Sequence, residues 1–120
     1  MTVDKKALMA PVLQEAVMHD GKMRLYVHNL HDPAHGEVSA YANHRAGDLI
    51  KFRLKTSTGN TLELVYQLTE ATVWPVQLVI KKSFFESEPI PGTSVELSYI
   101  ITRMDSAPEH SDALIVHLEQ

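Results

Sequence analysis

Three histidines and an aspartate lie within eight positions, in the stretch "HNLHDPAHGEV" of residues 28–38. They are His28, His31, Asp32 and His35. Imidazole and carboxylate groups are common zinc ligands, but a zinc site needs donors that converge from rigid elements. Here His28 falls at a predicted strand end, and the others fall on a connection that contains Pro33. His44 and His110 would add ligands only if their loops converged. We therefore expect solvated histidines, with no native metal site and no other cofactor.

Catalytic motifs are missing from the sequence. It contains no G-x-S-x-G nucleophile elbow, no H-E-x-x-H zinc-protease motif and no Gly-rich phosphate loop. Serine, histidine and aspartate are all present, but they occur without the spacing that would point to a nucleophile and its base. We predict that the chain is not an enzyme.

A basic stripe and three aromatic residues are the candidate binding groups. Lys51, Arg53 and Lys55 share one face of a predicted strand and could contact an anionic partner. In an immunoglobulin-like sandwich the third strand pairs with the sixth, whose outward residues are Ser94, Glu96 and Ser98. Because such pairing neutralises part of the stripe, we favour a solvated face over a binding site.

Trp74, the sole tryptophan, precedes Pro75 at a predicted strand start. Tryptophan is frequent at binding hot spots, but a single one in a small sandwich is more often a structural anchor. In the segment "SFFESEPIPG", Phe84 and Phe85 are adjacent. Successive side chains of a strand face opposite ways, so one phenylalanine is expected away from the core unless a turn or bulge intervenes. This segment is the best local indication of a contact surface.

Alternation of apolar and polar residues predicts most of the secondary structure. Residues 48–68 form a predicted hairpin around Gly59 and Asn60, and further strands are expected in 22–30, 36–42, 76–82, 94–103 and 112–120. Residues 5–18 carry a rough helical stripe of apolar residues, but Pro11 favours an edge strand that starts at the proline.

Tyr99 is expected in the core, with its hydroxyl hydrogen-bonded to a backbone group. We predict an all-β, immunoglobulin-like antiparallel β-sandwich of about seven strands, as a single domain over residues 1–120.

Composition limits the classes of partner. The 120 residues are 44% hydrophobic and 22% charged, as in ordinary globular proteins, and the formal charge of −4 disfavours nucleic-acid binding. The absence of cysteine excludes disulfides and thiolate sites. No apolar run reaches the roughly 20 residues of a membrane span, and no signal peptide is recognisable. We expect a cytoplasmic protein without membrane insertion, unless it belongs to a larger chain or leaves through a dedicated secretion system.

Several segments together resemble a known family. These are "LMAPVLQEA", "LHDPAHGEVSAYANHRAGDLIKFRL", "GTSVELSYIITR" and "SDALIVHLE", and they cover nearly the whole chain. The best marks are the "AGD" turn of residues 46–48 and the Ser-Tyr-x-x-Thr-Arg pattern of residues 98–103. The chain resembles the immunoglobulin-like repeats of large surface or secreted proteins of proteobacteria such as pseudomonads. The resemblance implies spacer or adhesive modules without catalytic residues. This chain departs from the pattern in its richness in Lys, His and Met.

These observations favour non-catalytic recognition of a protein or glycan, in a bacterial surface, toxin or secretion system. Two alternatives stay open. A small cytoplasmic immunity or adaptor protein would cap a toxin in a tight complex, whereas a structural spacer repeat would have no partner. An open edge of the sandwich also allows a homodimer through strand addition.

Overall fold

The computed structural model describes residues 8–104 and 106–120, which form ten β-strands and two short helical segments. The strands are β1 (Val12–Leu13), β2 (Val17–His19), β3 (Lys22–Tyr26), β4 (Ala34–Val38), β5 (Leu49–Thr56), β6 (Thr61–Gln67), β7 (Val76–Ile80), β8 (Ser94–Thr102), β9 (Glu109–His110) and β10 (Leu114–Glu119). A 3-10 helix spans Val27–Asn29, and the helix α1 spans Lys82–Glu86. Seven of the strands in this part of the chain have five or more residues.

The strands form two sheets that face each other across one hydrophobic core. The smaller sheet has the order β1-β4-β7, and the larger has the order β2-β3-β10-β8-β5-β6, with β9 paired to β8. Pairings between these strands are antiparallel, except that β3 and β10 run parallel. The predicted all-β, immunoglobulin-like sandwich is therefore confirmed, with one parallel pair inside it.

The strands at the centre of the larger sheet show why alternation was a good guide. Along β5, Ile50, Phe52 and Leu54 are fully buried, while the residues between them are exposed. A strand with one face on the core and one in water must alternate in this way. The predicted hairpin of residues 48–68 is confirmed as β5 and β6, and Gly59 in its turn has φ +101°, a conformation open to glycine.

A close approach between the two sheets depends on a glycine. Gly36 lies in the middle of β4, and a Cβ atom at that position would lie 2.7 Å from Cζ of Phe52 in β5. The absence of a side chain lets the backbone of one sheet lie on the aromatic ring of the other. This contact fixes how β4, and the residues just before it, lie over the larger sheet.

Two predictions near the chain start can be compared with the structure. β1 follows Pro11 directly and forms an edge of the smaller sheet, so the edge strand is confirmed; residues 1–7 lie outside the described part. The hydroxyl of Tyr99 donates a hydrogen bond of 2.7 Å to the carbonyl of Met9, as expected for a core tyrosine. Burial, followed by the nearby Asp112 carboxylate, raises the pKa of Tyr99.

The hairpin of β2 and β3 was not predicted. Asp20 and Gly21 form its two-residue turn, with φ of +51° and +75°. Positive φ at both central residues matches a type I′ turn, for which Asp-Gly is a preferred sequence. All three residues of β2 are exposed, so the strand shows no alternation that could have revealed it. This hairpin forms one wall of the site described next.

Candidate binding cleft

A cleft of about 510 Å³ lies between the β2 and β3 side of the larger sheet and the connection that leads into β4. Most of its surface is apolar, with several polar groups among the apolar side chains. It is lined by Glu15, Val17, Leu25, Tyr26, Asn29, Leu30, His31, Asp32, Pro33 and His35. Its size and mixed lining are those of a site for a small ligand or a peptide side chain. We call it the His35 cleft.

His35 is held in place by Glu15. One carboxylate oxygen of Glu15 accepts the backbone N–H of His35 at 2.8 Å, and the other lies 2.7 Å from the ring Nδ1. An ionised carboxylate can only accept hydrogen bonds, so Nδ1 carries the hydrogen. The pair is about one-third exposed on the imidazole side and one-quarter exposed on the carboxylate side. The other ring nitrogen, Nε2, has no part in this contact, and in the neutral ring it is a hydrogen-bond acceptor.

The histidines and the aspartate of residues 28–35 are distributed over different roles. Asp32 accepts the backbone N–H of Lys82 at 2.8 Å and so fixes the start of α1. His31 lines the His35 cleft, whereas His28 lies on the 3-10 helix beside a second cavity with Glu86 and Glu88. Within residues 8–104 and 106–120, no group of three or more histidine or acidic residues is arranged to hold a metal ion.

The two remaining histidine candidates lie elsewhere. The His44 ring packs on Trp74, with centroids 4.9 Å apart, and His110 is an exposed residue of β9 opposite Ile100. Neither residue lines the His35 cleft. The convergence of loops that would have added these ligands is therefore not seen.

The basic stripe has the environment that the sequence predicted. On β5, Arg53 lies opposite Ser98 of β8 and Lys55 lies opposite Glu96. On the other side, Arg53 Nε is 3.5 Å from a carboxylate oxygen of Glu63 in β6. The expected pairing of the third long strand with the sixth is confirmed. Lys51 differs, because its cross-strand neighbours are Ile100 and Val65.

One of Phe84 and Phe85 was expected away from the core unless a turn or bulge intervened, and a turn of helix does intervene. Both lie in α1, where Phe85 is fully buried and Phe84 is half-buried against the core. Their rings pack edge to face, with centroids 5.5 Å apart. Successive residues of a helix are about 100° apart, so two adjacent side chains can face the same side, which a strand does not permit. The segment thus anchors α1, and only part of the Phe84 ring remains accessible.

Trp74 is half-buried at the end of the sandwich where β5 begins. Its ring packs edge to face on Tyr41, with centroids 5.6 Å apart, and it lies beside His44. These contacts match the structural anchor that the sequence favoured. A cavity of about 270 Å³ lies next to it, lined by residues that include Arg45 and Glu70.

A buried ionic cluster at this end was missed by sequence reasoning. Asp48 is 2% exposed; its Oδ2 accepts the Tyr41 hydroxyl at 2.8 Å and lies 3.7 Å from Nε of Arg103. Arg103 also donates to the carbonyl of Ala42 and pairs with Glu109, both at 3.0 Å. Burial, followed by the hydrogen bond to Asp48, raises the pKa of Tyr41. Asp48 lies in the "AGD" turn and Arg103 in the Ser-Tyr-x-x-Thr-Arg pattern, which are the two best marks of the family resemblance. These two motifs were the signal in the sequence that could have pointed to the cluster.

Comparisons of the chain with protein-family models, with curated proteins and with solved structures found no match. In the described residues, no helix has the length and apolar character required to cross a membrane.

Proposed function

We propose that the chain is a non-catalytic recognition module that binds a protein partner in the His35 cleft. The observation that carries the proposal is the combination of a mostly apolar cleft with an imidazole fixed by Glu15 at its edge. Sites that bind by recognition have an apolar surface and a few positioned polar groups that fix orientation. The remaining candidates give less support, because the phenylalanines pack inward and part of the basic stripe lies beside acidic residues.

The chemistry of the cleft favours a protein over a glycan. Its apolar lining residues are mostly aliphatic, with Tyr26 as the one phenolic ring beside Val17, Leu25, Leu30 and Pro33. Such a surface gains most by burying an apolar side chain. The Nε2 atom of His35 can accept a hydrogen bond from a backbone N–H or a hydroxyl of the same partner. The family resemblance supports a partner at a bacterial surface, in a toxin or in a secretion system, and we include that context in the proposal.

The test is capture of a partner by the immobilised chain, followed by titration calorimetry with the purified partner. Val17 is 49% exposed and lines the cleft, so Val17→Lys places a charge in the cleft without opening the core. Ile115→Lys is the matched control, because Ile115 is 44% exposed on the outer face of β10 and lies outside the cleft lining. Both variants are checked for folding by circular dichroism.

We expect one captured protein whose affinity falls at least about tenfold in Val17→Lys and is unchanged in Ile115→Lys. Equal affinity for the parent and Val17→Lys would contradict the cleft as the binding surface. Specific capture of a glycan instead of a protein would contradict the partner class. If neither a protein nor a glycan is retained, the spacer alternative replaces the proposal.

A further inference from the structure

The strand β6 is an open edge of the larger sheet. In the described part of the chain it pairs with β5 on one side and has no strand on the other. At the two ends of the hairpin, the Leu68 N–H donates to the Asp48 carbonyl and the Thr56 N–H donates to the Asn60 carbonyl, both at 2.8 Å. Because antiparallel bonded pairs alternate, the even-numbered residues of β6 bond to β5. The backbone groups that face the open side therefore belong to Thr61, Glu63, Val65 and Gln67.

β6 lacks the features that block strand addition at exposed edges. Such features include short length, proline, bulges and charged side chains. β6 has seven residues, no proline and a single charge, Glu63, which lies beside Arg53. Val65, near its middle, is 60% exposed. By contrast, β7, at an edge of the smaller sheet, has five residues and lies between Pro75 and α1.

The inner side of β6 is also incompletely covered. Leu62, Leu64 and Tyr66 point toward the core but are only half-buried, unlike the fully buried residues of the neighbouring β5. Burial of their remaining apolar surface would be favourable. An occupant of this edge should therefore provide a complementary backbone and apolar side chains on the same side.

We propose that β6 pairs with β6 of a second copy of this chain, antiparallel and with the two-fold axis at Leu64. In this register Glu63 lies opposite Val65 of the second copy, and Thr61 lies opposite Gln67. The open backbone groups of one copy then meet the open groups of the other, since odd-numbered residues face odd-numbered residues. On the inner side, Leu62 lies opposite Tyr66 and Leu64 lies opposite its own copy, so apolar residues meet apolar residues.

Charge selects this register over its neighbours. A shift by two residues in one direction places Glu63 opposite Glu63 of the second copy, which is unfavourable. A shift in the other direction leaves Thr61 and Leu62 without partners. In the proposed register, Glu63 of the second copy lies in the same cross-strand row as Lys51, whose neighbours within its own chain, Val65 and Ile100, are apolar. Glu63 of the second copy thus comes toward Lys51, the residue of the basic stripe that has no acidic cross-strand neighbour in its own chain.

The test is sedimentation velocity of the chain across a concentration series. The parent is compared with two variants that place opposite charges at Val65. Val65→Glu places like charges opposite each other twice, so we expect a dimer dissociation constant about tenfold higher than that of the parent. Val65→Lys faces Glu63 of the second copy, so its dimer should be at least as stable as that of the parent. Val79→Glu, on the outer face of β7, is the control and should leave the dimer unchanged.

Three outcomes would overturn the proposal. The first is a monomer at all concentrations up to about 1 mM, at which half of the chains would be dimeric if the Kd were about 1 mM. The second is a dimer that is insensitive to Val65→Glu. The third is equal weakening by both charges, which would indicate pairing of Val65 with Val65. Thermal unfolding checks that each variant is folded. The His35 cleft lies beside β2 and β3, at the opposite end of the sheet from β6, so loss of the dimer and loss of partner binding are separable results.

Discussion

Asp48 and Glu88 are both buried carboxylates, but they lie at opposite ends of β5 and are compensated in different ways. Their exposed fractions are 2% and 5%. Asp48 lies beside the guanidinium of Arg103, at the end of the sandwich where β5 begins. Glu88 interacts with neutral donors in the turn that follows β5. Asp48 thus has a cation nearby in addition to hydrogen bonds from the Tyr41 hydroxyl and the Arg45 N–H, whereas the side-chain donors to Glu88 are all neutral.

Around Glu88, the donors come from the turn between β5 and β6. The Thr58 hydroxyl donates at 2.5 Å, and the Asn60 side-chain amide donates to the other carboxylate oxygen. The hydrogen bond from Thr58 lowers the pKa of Glu88 most; burial acts in the opposite direction, and Asn60 and Thr56 lower it further. The carboxylate therefore ties the turn of one hairpin to the loop that leads into β8.

The comparison shows what each cluster loses when its carboxylate is removed. Without Asp48, a guanidinium that is 16% exposed would lose one of its two acidic neighbours. Without Glu88, the donors left behind are a hydroxyl and an amide, which water can solvate at lower cost. Removal of Asp48 should therefore cost more stability than removal of Glu88, although both side chains are almost fully buried.

The largest expected effect is that of Asp48→Ala. We expect the free energy of unfolding to fall by about 3–5 kcal/mol, the range for breaking one side of a buried ion pair. The loss combines the hydroxyl of Tyr41 left without its acceptor and the charge of Arg103 left with Glu109 alone. Urea unfolding at pH 7 measures it. A loss below about 1 kcal/mol would show that the cluster is solvated and would remove the contrast with Glu88.

Glu88→Ala should have a smaller effect, about 1.5–3 kcal/mol, the range for hydrogen bonds to a charged group. Thr58 and Asn60 lose their acceptor, but no unpaired charge remains. The same urea titration applies, with Glu86→Ala as the control because Glu86 is an exposed neighbour. A loss equal to that of Asp48→Ala would contradict the importance of the cation.

Much of the fold could be predicted from the sequence because each long strand has one face on the core and one in water. Along β5 this alternation is complete, and its pairing with β8 followed from the expected architecture. The short helix α1 could not be predicted in this way. Its five residues carry too little local preference, and its first N–H is held by Asp32, fifty residues away. The adjacent phenylalanines were therefore assigned to a strand.

The site was less predictable than the fold, because its partners are distant in sequence. Glu15 and His35 are twenty residues apart in sequence. They meet because β1 pairs with β4, and the Gln14 N–H, just after β1, donates to the carbonyl of His35. No spacing rule connects them. The Asp20-Gly21 turn is a different case, since the dipeptide is itself a hairpin signal and was overlooked.

Tyr41→Phe tests the Asp48 cluster with a smaller change. The hydroxyl donates to Asp48 at 2.8 Å, so its loss leaves one carboxylate oxygen with fewer donors, and we expect a cost of about 1–2 kcal/mol. The ring contacts with Trp74 and Arg103 remain. The pKa of Tyr41 is raised above its ordinary value of 10.0, so the folded protein holds the phenol proton more tightly than the unfolded chain does. The hydroxyl therefore contributes its full stabilisation below pH 10, and this contribution is lost as the pH rises above 10. The difference between parent and variant should therefore shrink in alkali, measured by urea unfolding between pH 8 and about 11.

The smallest expected effect is the acid dependence of Glu88, which separates the two carboxylates by pH instead of by truncation. The folded pKa of Glu88 lies below its ordinary value of 4.5, so the carboxylate stabilises the fold above that pH and loses this contribution as the pH falls through the folded pKa. Glu88→Gln keeps the size and the neutral form, so it mimics the protonated state. We expect the free energy of unfolding of the parent to exceed that of this variant by no more than about 1 kcal/mol at pH 7. The difference between them should close toward pH 3. A gap that stays constant over this range would contradict the prediction, because ionisation of Glu88 would then contribute nothing to the difference. The gap would come instead from the amide NH2 group of the variant, which faces the Thr58 and Asn60 donors where the parent has an acceptor oxygen.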